Sequence, residues 1–147
     1  MGNIGASAVA GFNTIFAKAT SAQYADLAEN YSADAEYTPG TVLDFGGENE
    51  VTLSNTAGSK RIAGVVSTNP AYLMNSMLNT EHVVSLALTG RVPTRVIGPV
   101  NKGDMMVSAG HGQACACATP ALGSVIGKAL VNFDGTEGVI EIVVGRM

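Results

Sequence analysis

The chain has 147 residues and a formal net charge of −4, with only 14% charged residues, 18 glycines, two cysteines and no tryptophan. That length suits one compact domain or two small lobes, and it buries a sizeable core without staples. Lys and Arg are few and scattered, with Lys60–Arg61 one adjacent pair, so no basic patch is expected and nucleic acid is not an expected partner. No apolar run is long enough for a membrane-spanning helix. The N-terminus lacks the charged and continuously apolar regions of a signal peptide.

Residues 1–19, small and glycine-punctuated, read as an extended arm or short strand around "FNTIFA". Residues 20–31, "TSAQYADLAENY", predict the one helix. Thr20 is its N-cap, Gln23 completes a capping box, and Tyr24, Leu27, Ala28 and Tyr31 share a face. Asp26, Glu29, Asp34 and Glu36 then form a solvated helix face and loop, since their spacing matches no calcium loop. From residue 36 short β-branched runs alternate with Gly, Pro and Asn turns, as in "TVLDF", "EVTLS", "HVVSLALTG", "VPTRVIG" and "GVIEIVVG". This texture predicts a mainly β fold, a small antiparallel barrel or sandwich occupying residues 20–147. The loop at 68–81 is the longest break, with room for one helical turn.

An internal repeat organises this region. Residues 39–66 align without a gap on residues 102–129 at an offset of 63, matching Gly40 with Gly103, Gly47 with Gly110 and Gly64 with Gly127. The expectation is a duplicated three-strand unit, its two copies linked by residues 82–98 into a pseudo-symmetric barrel.

The stretch "GHGQACACATP", residues 110–120, holds both cysteines and one of the two histidines. Geometry speaks against a metal site on His111, Cys115 and Cys117: the two cysteines are close enough to share an ion but His111 is not, and only a three-fold axis joining three copies would leave a route open. Positions 111 and 117 of one strand lie about 20 Å apart at roughly 3.3 Å per residue, whereas zinc gathers ligands within about 2.3 Å of one point. Cysteines one residue apart form no ordinary disulfide. The repeat places Cys115 over Thr52 and Cys117 over Ser54, and Ala114 and Ala116 over Val51 and Leu53. Strand alternation then puts the cysteines on a polar face that meets solvent or a neighbouring subunit. His82 has no neighbouring thiolate in the sequence, no nucleophile elbow is present, and "FGGEN" precedes a strand, so it reads as a hairpin turn and not a phosphate loop. No catalytic, cofactor-binding or metal-ligating residue is assigned. The methionines, including Met74, Met77, Met105 and Met106, are core fillers.

The order of "YADLAENY", "YTPGTVLDFGG", "RIAGVVSTNPAYLMNS", "ALTGRVPTRVIGPVNKGDMMVSAG", "GSVIGKAL" and "GVIEIVVGRM" resembles the C-terminal domain of tailed-phage tail-fibre and virion structural proteins, of the kind found in cyanophages. The resemblance spans residues 20–147, and the arm resembles the repeat joining a fibre shaft to that domain. More distantly, the chain is similar to the peptidase G2-type intramolecular chaperone domains. The resemblance implies a virion protein, a homotrimer that supports fibre trimerisation and meets other virion proteins; it does not settle self-cleavage, and no enzymatic activity is expected from the residues. Alternatives are a capsid-decorating cement protein, a receptor-binding tip using residues 68–80 and 132–138, and a self-cleaving chaperone. For self-cleavage, Ser21, Asp26 and Asn30 have only their position to recommend them.

Overall fold

A computed structural model describes residues 25–145. The extended arm of residues 1–19 lies outside the described residues, as do Ser21 and the first five positions of the expected helix. The described chain is all β. Its strands are β1 (Asp26–Ser32), β2 (Val42–Phe45), β3 (Val51–Leu53), β4 (Ile62–Val66), β5 (Tyr72–Met74), β6 (Val83–Ile97), β7 (Met105–Gly110), β8 (Gln113–Ala116), β9 (Val125–Ala129) and β10 (Glu137–Gly145).

Two sequence expectations are corrected. Residues 26–31 are not helical: they form β1, which pairs antiparallel with β6 from Asp26↔Gly90 to Ser32↔Val83. The buried side of the strand is Asp26, Ala28 and Asn30, which shares only Ala28 with the expected helical stripe. Tertiary pairing overrides local propensity here. The loop at 68–81 carries a strand and not a helical turn, because Tyr72–Met74 pairs in parallel with Leu27–Glu29.

The two expected strands around Gly90 are one 15-residue strand, β6. Gly90 makes this continuity possible. Its φ is +104°, and a Cβ there would strike the Ala25 carbonyl and Asp26 Cα. Only glycine lets β1 approach β6 that closely.

The duplication is real and larger than the three strands expected. The β2–β3 pairs Leu43↔Leu53, Asp44↔Thr52 and Phe45↔Val51 recur in β7–β8 as Met106↔Ala116, Val107↔Cys115 and Ser108↔Ala114, each 63 residues later. The β2–β4 ladder, with its bulge after Leu43, recurs in β7–β9 with its bulge after Met106. The parallel bridge Ala33↔Val51 recurs as Val96↔Ala114. The unit therefore has five strands. The C-terminal half of β6 repeats β1 at an offset of 63, and β10 repeats the N-terminal half of β6 at an offset of 56. The difference of seven residues is the longer β4–β6 connection of the first copy, which carries β5.

Each copy closes its own ring. In the second, β6, β8, β7, β9 and β10 pair in turn and β10 returns to β6. In the first, β1, β6, β4, β2 and β3 do the same, closed by the Ala33↔Val51 bridge and the Glu50 N–H to Ser32 carbonyl bond at 3.1 Å. The interiors correspond too. Leu43, Val51, Ala63, Leu86 and Ala33 fill the first ring, and their counterparts Met106, Ala114, Ile126, Ile142 and Val96 fill the second. Val42, Val65 and Ala87 face outward from the first ring and join the second ring's buried cluster. These three residues fasten one ring to the other.

Candidate functional site

The histidine–cysteine stretch at 110–120 is a turn followed by a strand. Gly110, His111 and Gly112 all have positive φ (85°, 52° and 69°), so the chain reverses in left-handed conformations before β8. His111 is exposed, and its N–H donates to Asn55 Oδ1 at 3.3 Å. Cys115 pairs across from Val107, and both cysteines are free and half-buried. Burial, and secondarily Cys117, holds the Cys115 thiol above its ordinary pKa, the opposite of what a nucleophilic thiolate needs. Among the described residues no three His, Cys, Asp or Glu side chains converge on a point that would hold a metal ion.

The expected burial pattern holds at Val51 and Ala114, which are buried, is lost at Leu53 and Ala116, which are half-buried like the cysteines, and fails at Ser54. Ser54 is fully buried on the supposedly wet face because the second ring sits on it. Its hydroxyl donates to Ser108 Oγ at 2.7 Å. Around it the backbone joins the rings: the Val42 N–H to Gly112 O at 2.9 Å, the Gly112 N–H to Ser54 O at 3.0 Å, and the Gly58 N–H to Ser108 O at 2.8 Å. Gly112 is required at this junction, since a Cβ would lie 2.7 Å from both Leu53 Cδ1 and Thr41 Cγ2.

The acidic residues do not act together and are not the solvated helix face expected. Asp26 is buried and accepts from Ser67 Oγ at 2.6 Å. Glu29 accepts from the Tyr31 hydroxyl at 2.8 Å. Asn30 Oδ1 accepts from Ser85 Oγ at 2.8 Å. Asp34 accepts from the Tyr37 hydroxyl at 2.5 Å, and Leu53 N–H donates to that same hydroxyl at 3.1 Å. Bonds from Thr52 and Tyr37 hold the Asp34 carboxyl below its ordinary pKa, while burial and Asp34 push the Tyr37 phenol up. This network pins the 33–37 segment over β3. Beside it Glu36, Tyr37, Glu81 and His82 line a broad cleft of about 540 Å³.

The surface is notable for its exposed apolar side chains. Leu122 is 93% and Met77 91% exposed, and Tyr72 and Val139 are also largely exposed. Tyr72 and Met77 lie in the connection that only the first copy carries. On the second ring, Lys128 and Val143 pair across β9 and β10 at the edge of a cleft of about 320 Å³, lined also by Gly127, Val144 and Gly145. A second cleft, of about 430 Å³, lies between Arg91, Pro93, Glu141 and the Ala25–Asp26 entry of the described chain. Arg91 and Glu141 pair at 3.5 Å on its rim.

The sequence reading did not single out Lys128 or Val143. The available signal was the match of "VVSLAL" (83–88) to "VIEIVV" (139–144), at an offset other than 63. No family model matches the chain, and no curated protein matches it.

Proposed function

We propose that this protein is a structural and assembly module of a tailed-phage virion: the trimeric C-terminal domain of a tail fibre or related appendage. One observation carries the reading. A chain with 14% charged residues displays large apolar side chains such as Leu122 and Met77 almost fully to solvent. A surface of this kind is suited to being covered by other chains. The resemblance of residues 20–147 to phage fibre domains supplies the setting. Buried polar side chains such as Asp26 and Ser54 are taken up by internal hydrogen bonds, with Asp44 Oδ1 the exception. That suits a scaffold more than a reaction site.

The test is gold-labelled antibody against the chain on purified virions. Labelling of tail appendages supports the reading. Labelling spread over the capsid favours a cement protein, and virions without label refute a virion role.

The receptor-tip alternative has its own support. The longer connection of the first copy presents Tyr72 and Met77 outward. Labelled protein should then bind host cells, and replacing both side chains by serine should abolish that binding.

A further inference from the structure

The outer face of the second ring carries three sulfur side chains in adjacent places. On β7 and β8, Met106 and Ala114 belong to that ring's buried cluster and Ala116 packs against it. Strand alternation turns Met105, Cys115 and Cys117 to the other face. The register Val107↔Cys115 and Met106↔Ala116 sets Met105 opposite Cys117, and the Cys117 N–H donates to the Met105 carbonyl at 2.9 Å. Residues so placed hold their Cβ atoms about 4.5–5.5 Å apart. Cys115 and Cys117 are two residues apart on β8, about 6.6 Å at about 3.3 Å per residue. All three side chains are half-buried, and both thiols are free. Cys117 is one of the influences that raise the Cys115 pKa, so the two sulfurs stand within electrostatic reach of each other. Nothing in the fold requires sulfur here. The first ring builds the same three ladder positions from Val42, Thr52 and Ser54, and there the second ring covers Val42 and Ser54. Sulfur stands at all three places only in the copy whose face no other ring covers, and both of the chain's cysteines are among them.

We propose that Met105, Cys115 and Cys117 bind one soft monovalent metal ion of the Cu(I) class. Thiolate and thioether donors select Cu(I), and three of them satisfy it, whereas zinc gathers four ligands. Metal–sulfur bonds of about 2.3 Å let two thiols at this spacing reach one ion from either side. The Met105 thioether, on a stem with three rotatable bonds, approaches from the neighbouring strand. It is the third donor that sequence spacing does not reveal, and it removes the need for a symmetry axis. His111, exposed in the turn, takes no part. Binding replaces two S–H bonds with two metal–sulfur bonds and releases two protons to solvent, and no electron is transferred. The raised Cys115 pKa does not obstruct this, because a coordinating metal deprotonates a thiol outright. The ion also removes the repulsion between the two thiolates it joins. The loaded site keeps a single negative charge, and Lys128, paired with Met105 across β9, offers a cation on the same face.

The site is complete within one chain and does not depend on the assembly reading. For the test, the full chain is reduced, kept under nitrogen and titrated with Cu(I) supplied as its acetonitrile complex, against a chromogenic Cu(I) chelator. The proposal expects one ion held per chain and, by X-ray absorption, a first shell of sulfur alone. The substitutions that probe it introduce the residues of the first ring at the same ladder positions. Cys115→Thr and Cys117→Ser should each lower the affinity by about 100-fold or more, and Met105→Val by about 10-fold. Circular dichroism checks that each variant is folded, and Met77→Leu, in the connection of the first copy, should bind as the unaltered chain does. A chain that leaves all the Cu(I) with the chelator overturns the proposal. So does a first shell containing nitrogen or oxygen, an ion count below one per chain, or an affinity that any of the three substitutions leaves unchanged. If a variant fails to fold, the first shell and ion count of the unaltered chain decide.

Discussion

Asp44 is the residue whose replacement tests the packing account most sharply. It is 1% exposed, and its Oδ2 accepts from Ser59 Oγ at 2.6 Å, but its Oδ1 is buried with no partner. Its counterpart in the second ring is Val107, which occupies the same ladder position beside the same bulge. The same ladder position therefore carries valine in the second copy, where the counterpart of Ser59 is Leu122. A buried polar oxygen left without a partner costs about 1–3 kcal/mol, whereas the hydrogen bond it is set against returns about 1 kcal/mol. Valine adds buried methyl groups worth about 1 kcal/mol or more. Asp44→Val combined with Ser59→Ala should thus stabilise the domain by about 1–3 kcal/mol. Ser59→Ala alone should destabilise it by about 1–3 kcal/mol, since it strips the carboxyl group of its hydroxyl donor. Urea unfolding followed by circular dichroism reads both numbers, and the parent with the two single variants and the double variant forms a double-mutant cycle. A double variant less stable than the parent by more than about 1 kcal/mol would refute the reasoning.

Three further outcomes follow from the same geometry. Gly64→Ala places a Cβ 2.5 Å from the Ala87 carbonyl at φ +155°, so it should cost more than about 2 kcal/mol in the same unfolding assay. Thr52→Val removes the hydroxyl that contributes most to lowering the Asp34 pKa. A lowered folded-state pKa gives stability that is present above the unfolded carboxyl value, about 3.9, and is lost as pH falls through the folded value. The variant should therefore be less stable than the parent at pH 6, and the gap should close as pH falls through the acid range. Cys115 should alkylate slowly at neutral pH: in a Cys117→Ser variant, the iodoacetamide rate should rise with a midpoint above the ordinary thiol value of about 8.5.

Much of the architecture was legible in the residues. The gapless register from Gly40 to Gly64 against Gly103 to Gly127 locates three strands of each unit, and the observed ladders match it pair by pair. What could not be read was the extent of the unit. The strand equivalent to β1 shares almost no side chains with it: "ADLAENYSA" stands against "LTGRVPTRV". Its identity lies in its partners and in the bridge Val96↔Ala114. The same stretch misled on local structure, because Tyr24, Leu27, Ala28 and Tyr31 fit a helical stripe while long-range pairing with β6 decides for a strand. The polar-face reading of Cys115 and Cys117 came from the repeat and strand alternation. It could not foresee that the matching face of the first ring, at Ser54, is sealed by the second ring.

The central claim is that this module works as a trimer of identical chains. Multi-angle light scattering of the purified chain tests it most directly. The account predicts a mass of about 45 kDa, three chains of 15.0 kDa, that persists on dilution to low micromolar concentration. A single species at 15 kDa across that range would contradict it.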